Sequence, residues 1–156
     1  MNRYLLALVI CIGMAAFEGV CAGRDPMKQL RGLRQPRWSP PPLVWILIGV
    51  FWYAICFTAL VRLLRTYDQN ASPVWLLIAL MAANAGANVP QFRMRRLDLA
   101  FLYLFPYWAL LSAFIWCVRS VDPLSLGLFA VYAGYQIYAA AWGWSLWQLN
   151  NGPAKS

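Results

Sequence analysis

Pro36-Arg37-Trp38-Ser39-Pro40-Pro41-Pro42, with the apolar run that follows from Leu43 to Leu64, is the stretch whose reading decides the fold. No charged side chain stands between Arg37 and Arg62. A helix rising about 1.5 Å per residue over that run spans roughly 30 Å, the thickness of a bilayer's hydrocarbon core. The prolines suit its first turn, where no internal N–H is needed and φ is already helical. Trp38 stands just ahead of the helix, at the level where an amphipathic indole prefers to lie. The segment therefore reads as a helix start, an interfacial anchor and a lid.

The rest of the chain repeats the spanning pattern. Of its 156 residues, 62% are hydrophobic and 12% charged, about half the charge of a soluble domain. Such a chain cannot cover a water-facing surface, and it reads as an integral membrane protein in a lipid bilayer. Nine Trp, eight Tyr and eight Phe exceed what interfacial belts need, so aromatic side chains are expected to line an interior as well. The net charge of +8 is accounted for by topology and anionic headgroups, and no nucleic-acid partner is expected. Cys11, Cys21, Cys56 and Cys117 lie within or at the ends of apolar runs without a CxxC pair, so neither a zinc site nor a disulfide framework is indicated. Histidine is absent, which removes His-ligated haem, His-ligated zinc and His-dependent acid–base chemistry.

Five spans are expected, at about 4–22, 42–64, 74–90, 97–118 and 124–149, forming one transmembrane unit over 1–156. The first also has features of a cleaved signal peptide, but its length and Glu18 near its end favour a retained helix. Glu18 has two readings: a functional intramembrane carboxylate, or a last-turn group reaching headgroups or Arg24, the second being preferred. Between the first two spans lies a long, basic loop, in which Met27, Leu30 and Leu33 fall three apart as in a short amphipathic helix on the membrane surface. Asn84 and Asn88, four apart, share a face of the third span and must meet protein, either as interhelical glue or as pocket lining. Pro106 is expected to kink the fourth span. Tyr132, Tyr135, Gln136 and Tyr138 give the fifth a polar-tipped aromatic side, open to the same two readings. Counting Lys and Arg places nine on the side of the first loop and C-terminus, against Arg3, Arg62, Arg65 and Arg119 opposite. The positive-inside rule then puts the N-terminus outside and the C-terminus in the cytoplasm.

The ordered set Leu30, Pro36, Trp38, Pro40-Pro41, Tyr53, Asn84, Arg95-Arg96, Trp108, Trp116, Asp122, Tyr132 and Leu149-Asn150 resembles the TspO/MBR family, the tryptophan-rich sensory proteins and mitochondrial translocator protein. The likeness runs from Leu30 almost to the end of the chain. It implies an all-α membrane protein, a five-transmembrane-helix bundle with a long first loop, often a homodimer. It further implies a pocket under that loop for a tetrapyrrole such as a porphyrin, or another apolar small molecule. Carried onto matching positions, the ligand-binding candidates are Trp38, Tyr53, Asn84 and Tyr132, with Tyr135 beside them. Arg34 and Arg37 are the nearest cations for porphyrin propionates.

The chain also departs from the family pattern. Gly49 stands where members carry tryptophan, Ala87-Asn88-Val89 where they carry Trp-x-Pro, Val131 where they carry proline, Tyr135 where they carry tryptophan and Gly143 where they carry asparagine. Tyr138 replaces a small pocket residue and is expected to fill space. The C-terminal sterol motif is missing, so sterol binding is not expected. Three function classes follow: a ligand-binding sensor or regulator linked to stress or tetrapyrroles, a porphyrin-degrading protein, and a transporter or packing subunit. The binder leads, with no metal, cofactor or catalytic residue expected, because the spans offer no His, no buried Lys and no nucleophile pair.

Overall fold

The computed structural model describes residues 2–151. Five helical stretches are long and apolar enough to cross a membrane, Arg3–Ala22, Pro42–Leu63, Ser72–Arg93, Leu97–Val118 and Pro123–Asn151, and no strand occurs among the described residues. Helices are the form in which a single segment satisfies its own backbone in lipid. The first span is α1 (Arg3–Ala22), and residues 23–41 after it carry a short helix, α2 (Pro26–Arg31). The second span is α3 (Pro42–Leu63), and the third is α4 (Ser72–Gly86), prolonged by a π-helical turn at Val89–Arg93. The fourth is split into α5 (Leu97–Leu102) and α6 (Leu104–Val118), and the fifth is α7 (Pro123–Asn151).

Two prolines account for the breaks. Pro90 has no N–H for the Gly86 carbonyl, and α4 ends at Gly86 before the wider π turn carries the chain past the expected end at Pro90 to Arg93. Pro106 does the same to the Leu102 carbonyl, and α5 stops there. The disturbance expected at Pro106 therefore falls one turn earlier, as a break at Tyr103.

The spans form a closed ring in which α1 touches α3 and α4, α4 touches α6, α6 touches α7, and α7 returns to α3. Lipid tails are as apolar as leucine, so close packing rather than water exclusion holds such a ring together. One end of the bundle is solid. Leu60 and Leu63 of α3, Leu77, Leu80 and Met81 of α4, Phe114 of α6 and Phe129 of α7 are fully buried there. Phe114 and Phe129 meet edge-on with centroids 4.5 Å apart. That end is tied by an ion pair: Arg62 Nε and Nη2 donate to the Asp122 carboxylate at 2.8 and 2.6 Å. Asp122 also accepts from the Ser125 backbone N–H at 3.1 Å, which caps the first turn of α7.

Toward α2 and the π turn the ring opens. With 29 residues, α7 is about 44 Å long, longer than the roughly 30 Å hydrocarbon core of a bilayer, and its last turns meet the first loop. There Asn150 accepts from the Arg34 backbone N–H at 2.9 Å and donates to the Arg34 carbonyl at 3.1 Å. Trp142 Nε1 donates to Ser39 Oγ at 3.0 Å.

Candidate functional site

Because side chains three, four and seven apart share a helix face, each wall of the open end comes from one stripe. On α3 the stripe is Trp45, Ile48, Gly49 and Trp52; on α4 and the π turn it is Asn84, Asn88 and Gln91; on α7 it is Tyr132, Tyr135, Gln136, Ala139 and Trp142. Glu18 of α1 completes the ring, and Pro26, Met27 and Leu30 of α2 cover it. The hollow measures about 340 Å³ and runs into an adjoining space of about 250 Å³ between α4, α5 and α7. Of the apolar set Met27, Leu30 and Leu33, the first two face this hollow and Leu33 the groove beside it. Met27 and Leu30 cover aromatic rings that the bundle leaves unpacked.

The floor of the hollow is a hydrogen-bonded cluster. The Tyr132 hydroxyl lies 2.7 Å from the Tyr107 hydroxyl and accepts from Gln136 Nε2 at 2.6 Å. It stands 3.5 Å from Asn84 Oδ1, so its own proton can point there while it accepts from the other two. The Trp52 ring lies against Tyr132 with centroids 4.4 Å apart, and its buried Nε1 has no partner among the described residues. Trp45 and Trp142 pack together, tilted by 55° with centroids 4.7 Å apart.

Three of the sequence candidates, Asn84, Tyr132 and Tyr135, meet on the wall of the hollow. Tyr53 reaches it indirectly, through a 2.6 Å hydrogen bond from its hydroxyl to Glu18 Oε2. Trp38 and Arg37 are elsewhere, on a shallow groove with Pro36, Ser145 and Gln148. Trp38 packs edge-on against Tyr138 at 5.4 Å and accepts a 3.3 Å hydrogen bond from the Tyr138 hydroxyl at its carbonyl. Tyr138 thus holds the first loop and does not line the hollow, contrary to the expectation that it fills pocket space. Gly49 and Gly143 do line the two adjoining spaces, and a Cβ at either would meet nothing within 4 Å.

This arrangement, a ring of five spans with an aromatic hollow under the first loop, can be set beside known families. The model of the TspO/MBR family matches residues 6–148. The chain belongs to the TspO/MBR family. No curated protein sequence matches it. In the sequence of this TspO/MBR chain Gln136 was already on the polar-aromatic side of the fifth span, whereas Trp45, Trp52 and Trp142 on the walls were not singled out, and Glu18 was assigned to headgroups or Arg24. The stripe spacing of Trp45 and Trp52, seven apart, and of Tyr132 and Trp142, ten apart, was a usable signal. Glu18 turns inward because Tyr53 is a nearer partner than Arg24, with which it forms no ion pair among the described residues.

A second, polar groove of about 520 Å³ opens at the mouth of the hollow, sharing Gln91 and Phe92 with it and carrying Lys28, Arg95, Arg96 and Asp98. Arg96 is paired with Asp98 at 2.6 Å.

Proposed function

We propose that this TspO/MBR protein is a membrane-embedded ligand-binding sensor or regulator. Its ligand, a tetrapyrrole such as protoporphyrin or a similarly flat apolar molecule, lies in the hollow beneath α2. One observation carries the reading: the indole and phenol side chains of Trp45, Trp52, Tyr132, Tyr135 and Trp142 line a space together with a few amides, Asn84, Asn88 and Gln136. Flat ligands gain from such faces, and the amides set their orientation. The volume falls within the range of small-molecule sites, about 300–1,000 Å³. Lys28 and Arg95 at the mouth suit the propionates of a porphyrin better than the more distant Arg34 and Arg37. The ligand-contact roles proposed for Trp38 and Arg37 would be exercised from the loop, outside the hollow.

A binder fits better than a transporter, because Phe114, Phe129, Leu77 and Leu80 are fully buried and fill the far end of the bundle. With nine Lys and Arg on the side of the first loop, the hollow opens toward the cytoplasm and the N-terminus lies outside.

The test is quenching of tryptophan fluorescence by protoporphyrin in detergent, on the parent chain, Asn84→Ala and Tyr135→Ala. Saturable quenching is expected in the parent, with affinity reduced about threefold to tenfold in each variant, the worth of one hydrogen bond or aromatic contact. Unsaturating quenching, or identical curves in all three, would mean partition into the micelle and would remove the tetrapyrrole reading.

A further inference from the structure

Among the described residues, Glu18 is the single charged one on the walls of the hollow and of the space adjoining it. A carboxylate at membrane depth is costly and is retained where it has a partner or a task. Here the partner is incomplete. Tyr53 donates to Oε2 at 2.6 Å, while Oε1 accepts no hydrogen bond and no Lys or Arg pairs with the group among the described residues. Trp45, Trp52, Phe92 and Trp142 line the same hollow, and aromatic rings are compatible with a cationic guest.

We propose that the Glu18–Tyr53 corner is a subsite for a protonated nitrogen, so that the preferred ligand is a flat, apolar body carrying a cationic N–H group. The inference rests on the reading of the hollow as a ligand site and narrows its chemistry. Tyr53 fixes the carboxylate by one oxygen and leaves the other to accept a charge-assisted hydrogen bond from the ligand. The aromatic side chains on the walls of the same hollow suit the ligand's plane. The chain's net charge of +8 favours anions at long range, so a preference for cations has to originate locally.

Three flat probes of similar size separate the possibilities: aminoacridinium, neutral anthracenemethanol and anthracenecarboxylate. Each is titrated calorimetrically into the parent chain and into Glu18→Gln in an uncharged detergent, with protoporphyrin alongside. The parent is expected to bind aminoacridinium about tenfold or more tightly than either other probe, the worth of a hydrogen bond to a charged group. In Glu18→Gln that preference should shrink to within about threefold. Equal or tighter binding of anthracenecarboxylate by the parent overturns the inference without any variant, as does a cation preference that survives in Glu18→Gln. If protoporphyrin binds saturably while no cation preference exists, this subsite alone falls. If no probe and no porphyrin saturates, the ligand site falls with it.

Discussion

Replacing Asp122 by Asn tests how the solid end of the bundle is held. Asp122 sits before α7 with 6% of its surface exposed and takes both Nε and Nη2 of Arg62, at the end of α3. The Arg62 guanidinium, followed by the Ser125 hydrogen bonds, lowers the Asp122 carboxyl from 3.8 to about 2. Undiminished, a shift of that size corresponds to roughly 2.5 kcal/mol. The Arg62 side chain is 37% exposed, so water screens the pair and an expected loss of about 1–2 kcal/mol remains. The exposure also lets Arg62 rehydrate, which keeps the loss below the roughly 3–5 kcal/mol of a fully buried broken pair. Asn retains most of the capping at Ser125, whereas Asp122→Ala should lose about 1 kcal/mol more.

The pH dependence follows from the direction of the shift. The folded value lies below the unfolded one, so the contribution is complete above the unfolded value near 4 and disappears as pH falls through about 2. About half of it should be gone at about pH 3. The assay is reversible unfolding in mixed micelles, read by tryptophan fluorescence at about pH 7 and about pH 3, with Arg62→Gln closing a double-mutant cycle. A loss under about 0.3 kcal/mol in Asp122→Asn, or an acid sensitivity equal to that of the parent, would refute the reasoning.

The same unfolding assay checks two further predictions. Tyr132→Phe strips a hydrogen-bond partner from Gln136 and from Tyr107, both buried, and should cost about 1–3 kcal/mol; an unchanged midpoint would disprove the cluster. Gly86→Ala places a Cβ 2.9 Å from the Tyr103 hydroxyl, which must then leave the Ala83 carbonyl it bonds at 3.1 Å. A cost of about 1 kcal/mol is expected, and it should largely vanish in a Tyr103→Phe background. Asn150→Ala removes both hydrogen bonds to the Arg34 backbone, so amide exchange at Arg34 and neighbouring loop residues should accelerate while the spans keep their protection. Uniform exchange across parent and variant would show that Asn150 does not hold the loop.

The five spans were legible in the sequence because lipid leaves the backbone one local solution, and uncharged runs such as Leu43–Val61 announce it. Helix-face spacing likewise put Asn84 with Asn88 and Tyr132 with Tyr135, since a period of 3.6 is a property of each helix alone. The family resemblance came from the same linear order. The order of helices around the ring was not written there, nor the end at which packing fails. Both depend on how side chains from α3, α4 and α7 fit together across the bundle, and apolar composition is equally compatible with lipid or protein neighbours. Glu18 illustrates the difference. Its position at the last turn of α1 allowed a headgroup or Arg24 as partner, and only the approach of α3, bringing Tyr53 to 2.6 Å, decided for the hollow. Trp38 illustrates it again. Its place before α3 suggested a lid, but the loop folds back so that Trp38 rests on Tyr138 in the middle of α7, and covering the hollow fell to Met27 and Leu30 of α2.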